Sequence, residues 1–330
     1  PVTGRAHDDR SRHCGAARVS SRSPEARMTD PTHEDPPLEL DIPARTRRID
    51  DLEVGRVLPA PVRRLVGPFA FFDHMGPARL DAGRGVDVRP HPHIGLSTVT
   101  YLFEGELSHR DSLGSSMVIR PGAINWMTAG RGIVHSERTP PEARPGGPVL
   151  HGLQLWVGLP RSHEETAPAF SHHPADTLPE LDDRGVRLRL LAGAAYGLTA
   201  PVPVASPLFY VEVRLAAGAR LSLPAEYEDR AAYVITGSLH AGPRPIHPRT
   251  MAVFRPHTEV TLEAAAPTHL VLLGGAPLDG PRYIWWNFVS SSQERIVQAA
   301  REWKEERFPL VPGDATERIP LVDEPHFPQR

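Results

Sequence analysis

The chain has 330 residues, of which 40% are hydrophobic and 23% charged; this is typical of a globular protein and long enough for two domains. The net charge of −3 provides no basic field, so we expect no direct nucleic-acid binding. The sequence shows no apolar run near the ~20 residues of a membrane span, no secretory signal pattern and one cysteine, Cys14; we expect a cytoplasmic protein without disulfides or membrane contact.

The first part of the chain is polar. Residues 1–36 are rich in Arg, Ser, Asp and Pro and have no periodic apolar pattern, which predicts disorder. Met28 lies inside this stretch and is a candidate for the natural first residue. We therefore predict a disordered extension over 1–37, with ordered structure from Leu38 onwards.

The remainder indicates short β-strands. The 37 prolines and 27 glycines divide the chain too often for many long helices. Runs of β-branched, aromatic and aliphatic residues recur between turn signals, and they span residues 96–103, 116–119, 150–159, 186–191, 208–215, 231–239, 250–254 and 269–273. This spacing predicts an all-β fold of barrels or sandwiches.

The pattern divides into two halves. A polar, Pro-rich segment predicts a linker, which we place at 166–183. It separates a metal-binding barrel at 38–165 from a second barrel, with a helix but no metal, at 184–312. Residues 313–330 form a predicted Pro-rich tail.

One helix is well signalled near the end of the chain. Ser291 and Glu294 have the spacing of a capping box. Ile296, Ala300 and Trp303 then recur on one helical face, which predicts a C-terminal helix docked on a barrel by Trp303.

A weak repeat links the two halves. The segment Tyr101-Leu-Phe-Glu-Gly-Glu-Leu107 is similar to Tyr233-Val-Ile-Thr-Gly-Ser-Leu239. Each reads as a strand entering a tight turn, so the chain is predicted to contain two copies of one barrel.

Two short motifs in the first half contain metal-ligating side chains. His91 and His93 are separated by one residue, as are His135 and Glu137 about 40 residues later. Residues i and i+2 of a strand face the same side, so two such pairs can direct three imidazoles and a carboxylate to one point. This set predicts a mononuclear site for one divalent transition metal, with Fe(II) as the first expectation and Mn, Ni, Co, Cu or Zn as alternatives.

The alternative is that these are ordinary surface histidines, since the chain contains 17 histidines in all. Comparison of the two predicted barrels indicates that only the first has a metal site. Positions equivalent to His91 and His93 are Leu223 and Ala225, which cannot bind a metal. We place His269 near the counterpart of His135, without a following carboxylate.

Four blocks strongly resemble the pirin family of bicupins: residues 68–77, 91–95, 126–135 and 151–156. The resemblance covers about residues 45–300. It implies two antiparallel jelly-roll cupin barrels face to face, with a metal, often iron, in the N-terminal one. The ligands that it implies are His91, His93, His135 and Glu137.

One position departs from the cupin pattern H-x-H-x3-E. Ser97 stands where many relatives have a glutamate, which could act as a general base. A serine hydroxyl is not a comparable base at neutral pH. This leaves Glu137 as the candidate catalytic carboxylate, and only if it loosens from the metal.

The resemblance implies two functions of different class. The first is a quercetin 2,3-dioxygenase-type oxidoreductase, which opens a flavonol or related aromatic diol with O2 at the metal. The second is a non-enzymatic metal- and redox-responsive regulator that binds a protein partner, such as a transcription factor or metabolic enzyme. An enzyme of the first kind needs a cavity of several hundred cubic ångströms open to the metal.

Overall fold

The computed structural model describes residues 37–49, 52–321 and 323–327. Most of the predicted extension, including Met28, lies outside the described residues. No helix in the described part of the chain is long and apolar enough to cross a membrane.

Strands dominate both halves. The first half contains β1 (Leu38–Pro43), β2 (Arg45–Ile49), β3 (Leu52–Leu58), β4 (Phe69–Arg79), β5 (Asp87–His93), β6 (Leu96–Glu104), β7 (Leu107–Asp111), β8 (Ser116–Ile119), β9 (Ile124–Thr128), β10 (Ile133–Arg138), β11 (Val149–Gly158) and β12 (Ala169–His173). The second half contains β13 (Glu180–Asp183), β14 (Val186–Ala195), β15 (Leu198–Thr199), β16 (Leu208–Leu215), β17 (Arg220–Ser222), β18 (Asp229–Thr236), β19 (Leu239–Ala241), β20 (Arg244–Ile246), β21 (Thr250–Phe254), β22 (Thr261–Ala264), β23 (Thr268–Gly275), β24 (Tyr283–Trp285) and β25 (Phe288–Ser290). Helix α1 (Gln293–Lys304) follows, and short 3-10 turns lie at Pro141–Ala143, Arg161–His163 and Ala175–Thr177.

Each half forms a pair of antiparallel sheets, the predicted jelly-roll arrangement. In the N-terminal domain a seven-stranded sheet, β12-β9-β6-β11-β4-β3-β2, accompanies a four-stranded sheet, β5-β10-β7-β8. In the C-terminal domain a large sheet, β1-β21-β18-β23-β16-β14-β13, accompanies the four-stranded sheet β17-β22-β19-β20. The two strand orders match one to one, as the sequence repeat predicts.

The two large sheets face each other across one apolar core, which draws residues from both domains. Leu153 and Leu155 of β11 belong to this core, as do Tyr210 of β16 and Val271 of β23. Strand β23 is buried along its whole length. A sheet covered on both faces has no solvent side, so its strands lose the apolar–polar alternation of a half-exposed sheet.

The strand pairing differs from the predicted domain limits in two places. Strand β1, which we assigned to the first barrel, pairs with β21 of the C-terminal domain. The predicted linker contains β12 and β13, which are the end strands of the two large sheets. Short, polar strands such as these suit a sheet edge, where one row of backbone groups needs no strand partner. The other predicted boundaries stay predictions.

The helix forms where it is predicted, with a shifted cap. The hydroxyl of Ser292, not Ser291, accepts the N–H of Arg295 at 3.2 Å. Ser291 instead donates its N–H to the buried carboxylate of Glu164. The predicted apolar stripe is confirmed, since Ile296 and Trp303 are buried.

Candidate metal centre

Three of the predicted ligands lie on two paired strands of the small N-terminal sheet. Strands β5 and β10 are antiparallel neighbours, with His135 opposite His91 and Ile133 opposite His93. The alternation of a strand directs all three imidazoles to the interior of the domain. His91 is 7% exposed, and His93 and His135 are each 1% exposed.

The three rings converge. One nitrogen from each lies within 4.8 Å of the corresponding nitrogens of the other two. The Nε2 atoms of His93 and His135 are 3.1 Å apart. Among the described residues this is the one group of three or more potential ligands with such spacing.

Backbone carbonyls orient two of the rings. Nδ1 of His91 donates to the carbonyl of Arg89 at 2.8 Å, and Nδ1 of His93 donates to the carbonyl of Asn287 at 3.0 Å. A carbonyl can only accept, so each Nε2 keeps its lone pair for the shared centre. Asn287 lies between β24 and β25 of the second half, so the C-terminal domain contributes directly to ligand orientation.

The donor set fits a metal ion. Burial lowers the pKa of His91 to about 4 and holds the pKa values of His93 and His135 well below the ordinary value, so the rings are neutral. Nδ1 of His135 is buried and has no hydrogen-bond partner. Three buried neutral imidazoles with their nitrogens this close together are a donor set that suits a divalent transition metal. The chain can therefore hold one metal ion at these histidines.

Glu137 is not a member of this group of three. In the pairing of β10 with β5 the extra residue lies on β5, since His135 is opposite His91 and Glu137 is opposite Val88, whereas β10 itself pairs regularly with β7. The carboxylate lies inside the domain and accepts the hydroxyl of Thr100 at 2.9 Å. Burial raises the pKa of Glu137. Its role as a fourth ligand stays a prediction.

Ser97 lies on β6 of the facing sheet. It is 1% exposed, and its hydroxyl is 3.0 Å from that of Thr128. The missing carboxylate at this position is therefore replaced by a neutral hydrogen-bonded pair.

Sequence reasoning assigned no role at the site to His109, taken as a surface or satisfied buried group, or to Asp111; both are buried residues of β7. His109 lies directly opposite Glu137, and Asp111 directly opposite His135, in the pairing of β10 with β7. Nε2 of His109 donates to Asp111 at 3.0 Å, which leaves Nδ1 with a lone pair. The i, i+2 rule that selected the ligands also applies to His-Arg-Asp at 109–111 and could have found this pair.

Aromatic rings surround the histidines. The ring centroid of Trp156 lies 5.3 Å from that of His93, and Trp156 stacks on Phe71 at 4.2 Å. On another side Phe170 stacks on His109 at 4.3 Å. Phe170 belongs to the predicted linker, so that segment contributes to the wall of the site.

His74, in the block 68–77, lies on β4 and is buried. Its Nε2 atom is 2.9 Å from Nε2 of His151, and its Nδ1 atom is 2.8 Å from the hydroxyl of Tyr233 in the other domain. His269, which we placed near the counterpart of His135, lies on β23. The strand equivalent to β10 is β22, whose inward residues are apolar.

Two cupin-type domains with a three-histidine cluster in the first define a bicupin with a candidate metal site. Residues 51–157 match the family model of pirin, and residues 210–309 match that of the pirin C-terminal cupin domain. The chain belongs to the pirin family.

Individual relatives agree. A pirin-like protein of Caulobacter vibrioides is 51% identical over 290 residues, which cover 87% of this chain and all of that protein. Pirin of Homo sapiens is 33% identical over 259 residues, 76% of this chain and 86% of that protein. A crystal structure of quercetin 2,3-dioxygenase from Acinetobacter baumannii superposes with a TM-score of 0.81 at 32% identity, covering 88% of this chain and 97% of that one.

Proposed function

We propose that this pirin is a quercetin 2,3-dioxygenase-type oxidoreductase that opens flavonols or related aromatic diols with O2. The observation that carries the proposal is the buried triad of neutral imidazoles beside the stacked rings of Trp156 and Phe71. The similarity to the Acinetobacter baumannii protein of that name supports it. Fe(II) is the metal that we propose first, with Glu137 as an additional ligand.

When bound, a divalent metal would supply Lewis acidity toward the hydroxyl and carbonyl oxygens of a flavonol. The chain supplies the rest. Trp156, whose ring lies beside that of His93 and is backed by Phe71, would offer apolar surface to an aromatic substrate and exclude water from the reacting atoms. The 1% exposure of His93 and His135 means that substrate must enter through a movement of the wall.

The proton of the substrate hydroxyl needs an acceptor, because Ser97 cannot provide a carboxylate. We assign that role to Nδ1 of His109. Asp111 holds the ring by accepting from Nε2 and stabilises the charge that His109 gains. Glu137, opposite His109 on the neighbouring strand, is the second candidate for this role.

The test begins with protein purified without a chelating tag and assayed for metal. Samples loaded anaerobically with Fe(II), Mn, Ni, Co or Cu are mixed with quercetin and O2, and loss of flavonol absorbance is followed together with O2 uptake. We expect coupled, metal-dependent consumption that is lost in Glu137→Ala and reduced about 100-fold in His109→Gln, with metal content retained in His109→Gln.

His240→Gln is the matched control, because His240 lies on β19 of the C-terminal domain. Its turnover should equal that of the unmodified protein. Stoichiometric metal without turnover for any metal would overturn the dioxygenase proposal. It would favour the metal-responsive regulator instead, and capture of a protein partner in the two iron oxidation states would follow.

A further inference from the structure

The strands that carry the histidines have a second face. Residues that alternate with the ligands, Ile94 and Val134, point away from the centre. They belong to a separate apolar cluster with Trp303, Phe308 and Val311. Helix α1 and the segment that follows it therefore pack against the back of the metal-binding sheet.

An ion pair anchors this segment beside Glu137. The guanidinium of Arg138, the next residue, binds Asp314 through Nε to Oδ2 at 2.7 Å and Nη2 to Oδ1 at 2.9 Å. It also donates to Glu317 at 2.8 Å. The Arg138 and Asp314 side chains are 22% and 11% exposed, so this two-point contact is shielded from water on most sides.

A second anchor lies beside His91. The N–H of Ile319 donates to the carbonyl of Pro90 at 2.9 Å, and the indole of Trp303 donates to the carbonyl of Ile319 at 2.9 Å. Strand β5 is an end strand of its sheet and has one strand neighbour, β10. Such a strand is held in register on one side only, so a contact from behind restricts it most.

A third anchor reaches β7. The side chain of Arg110, between His109 and Asp111, donates to the carbonyl of Gly313 at 2.9 Å. The segment after α1 therefore contacts β5, β7 and β10, the three strands that carry the histidines of the candidate metal centre and the neighbouring His109–Asp111 pair. Gly132 receives Phe308 closely, because a Cβ there would lie 2.8 Å from its ring.

We propose that residues 308–319 form a strap that positions the ligand strands from behind and sets how slowly the metal leaves. Arg138, Asp314 and Ile319 are positioning residues. The proposal rests on metal binding at the three histidines. Groups that orient ligands without touching the metal commonly change affinity about 10- to 100-fold when removed, and the strap acts at the lower end because it holds strands and not rings.

The test compares Asp314→Asn with Glu324→Gln. Both variants remove a carboxylate of the C-terminal segment that pairs with a cation, but the Lys304–Glu324 pair is exposed and joins two residues outside the ligand strands. Each protein is loaded with Co(II), its absorption spectrum is recorded, and release to a chelator is timed. We expect one Co(II) per chain in all, about 10-fold faster release and an altered visible spectrum in Asp314→Asn, and no change in Glu324→Gln.

Two further measurements separate the strap from simple destabilisation. In the double variant Arg138→Gln/Asp314→Asn, release should be no faster than in Arg138→Gln, since the contact between the two residues is already lost in Arg138→Gln. If Asp314→Asn lowers thermal stability but leaves release and spectrum unchanged, the strap proposal is wrong.

If the unmodified chain holds no metal, the proposal of a metal site is wrong, but the proposal of a strap is not yet contradicted. Amide exchange in the metal-free protein then decides, because the strap requires faster exchange over residues 87–93 in Asp314→Asn than in Glu324→Gln. Equal exchange in the two variants would overturn it.

Discussion

Tyr101 and Tyr233 occupy equivalent positions in the two domains, and each hydrogen-bonds to a side chain of the other domain. Tyr101 lies opposite Leu153, which in turn lies opposite His74; Tyr233, Val271 and Glu212 form the same row in the C-terminal domain. The hydroxyl of Tyr101 donates to Glu212 at 2.6 Å, and that of Tyr233 is 2.8 Å from Nδ1 of His74.

A histidine completes each half of this arrangement. His151 contacts His74 at 2.9 Å, and His269 donates to Glu212 at 2.8 Å. His151 and His269 stand two residues before Leu153 and Val271 on equivalent strands. The interface is therefore pinned by two related buried hydrogen-bond chains, one neutral and one containing a carboxylate.

Tyr233→Phe should destabilise the protein by about 1–3 kcal/mol, because it removes the buried partner of His74 Nδ1. Tyr210→Phe is the matched control. Tyr210 is equally buried in the same core, but its hydroxyl has no hydrogen-bond partner. Its removal should leave the free energy of unfolding unchanged or raise it. Denaturant titration of both variants checks this, and equal losses would contradict it.

Glu212→Gln should reduce the dependence of stability on acid. Burial raises the pKa of Glu212, but hydrogen bonds from His269 and Tyr101 outweigh it and lower the pKa to about 2. A lowered pKa favours folding above the unfolded-chain value of 4.5, and this stabilisation is lost as the pH falls toward 2.

Its size is on the order of 3 kcal/mol for this largely buried group. The difference in unfolding free energy between the metal-free unmodified and Glu212→Gln proteins should therefore shrink from pH 6 to pH 2.5. A constant difference over that range would show that the carboxylate does not titrate as argued.

Gly95→Ala should disrupt the junction beside His93. Gly95 has φ of +67°, and a Cβ would lie 1.9 Å from the carbonyl oxygen of Val289. We expect a loss above about 3 kcal/mol in stability, together with weaker metal binding. Gly114→Ala is the control, since Gly114 has φ of +90° but open space around it. Gly114→Ala should lower the free energy of unfolding by about 1 kcal/mol, because an L-residue at positive φ is strained even where no atom clashes with its Cβ. Equal melting temperatures for the two variants would contradict the steric argument.

Replacing the predicted ligands one at a time should show how much the histidines and the Glu137 carboxylate each contribute to metal binding. His91→Ala and His135→Ala should each fold and fail to retain stoichiometric metal, because two imidazoles remain of the three that converge. His240→Ala should retain it. Glu137→Gln keeps the shape of the side chain, so a fall in affinity with this variant would support Glu137 as a fourth ligand. Metal analysis after dialysis against chelator measures all four, and stoichiometric metal in the histidine variants would refute the assignment.

Local sequence spacing was sufficient to predict that the three histidines face the same side of their strands. Side chains at i and i+2 of a strand share a face whatever surrounds the strand, so His91, His93 and His135 could be read directly from their spacing. The same regularity predicted the β-rich halves, their repeat and the apolar stripe of α1. It also places Glu137 on the inward side of β10, where its carboxylate accepts the hydroxyl of Thr100; its role as a fourth ligand stays a prediction.

Long-range contacts account for what the sequence pattern did not reveal. The segment 308–319 has no periodic apolar pattern, yet its Phe308 and Val311 join a cluster that includes Ile94 and Val134, which are more than a hundred positions away. The pairing of β1 with β21, the tyrosine chains across the interface and the carbonyl of Asn287 on His93 have no signal in local spacing either. The position of a residue along a strand determines which way its side chain points. The residue that this side chain contacts depends on the tertiary structure, which places a distant part of the chain opposite it.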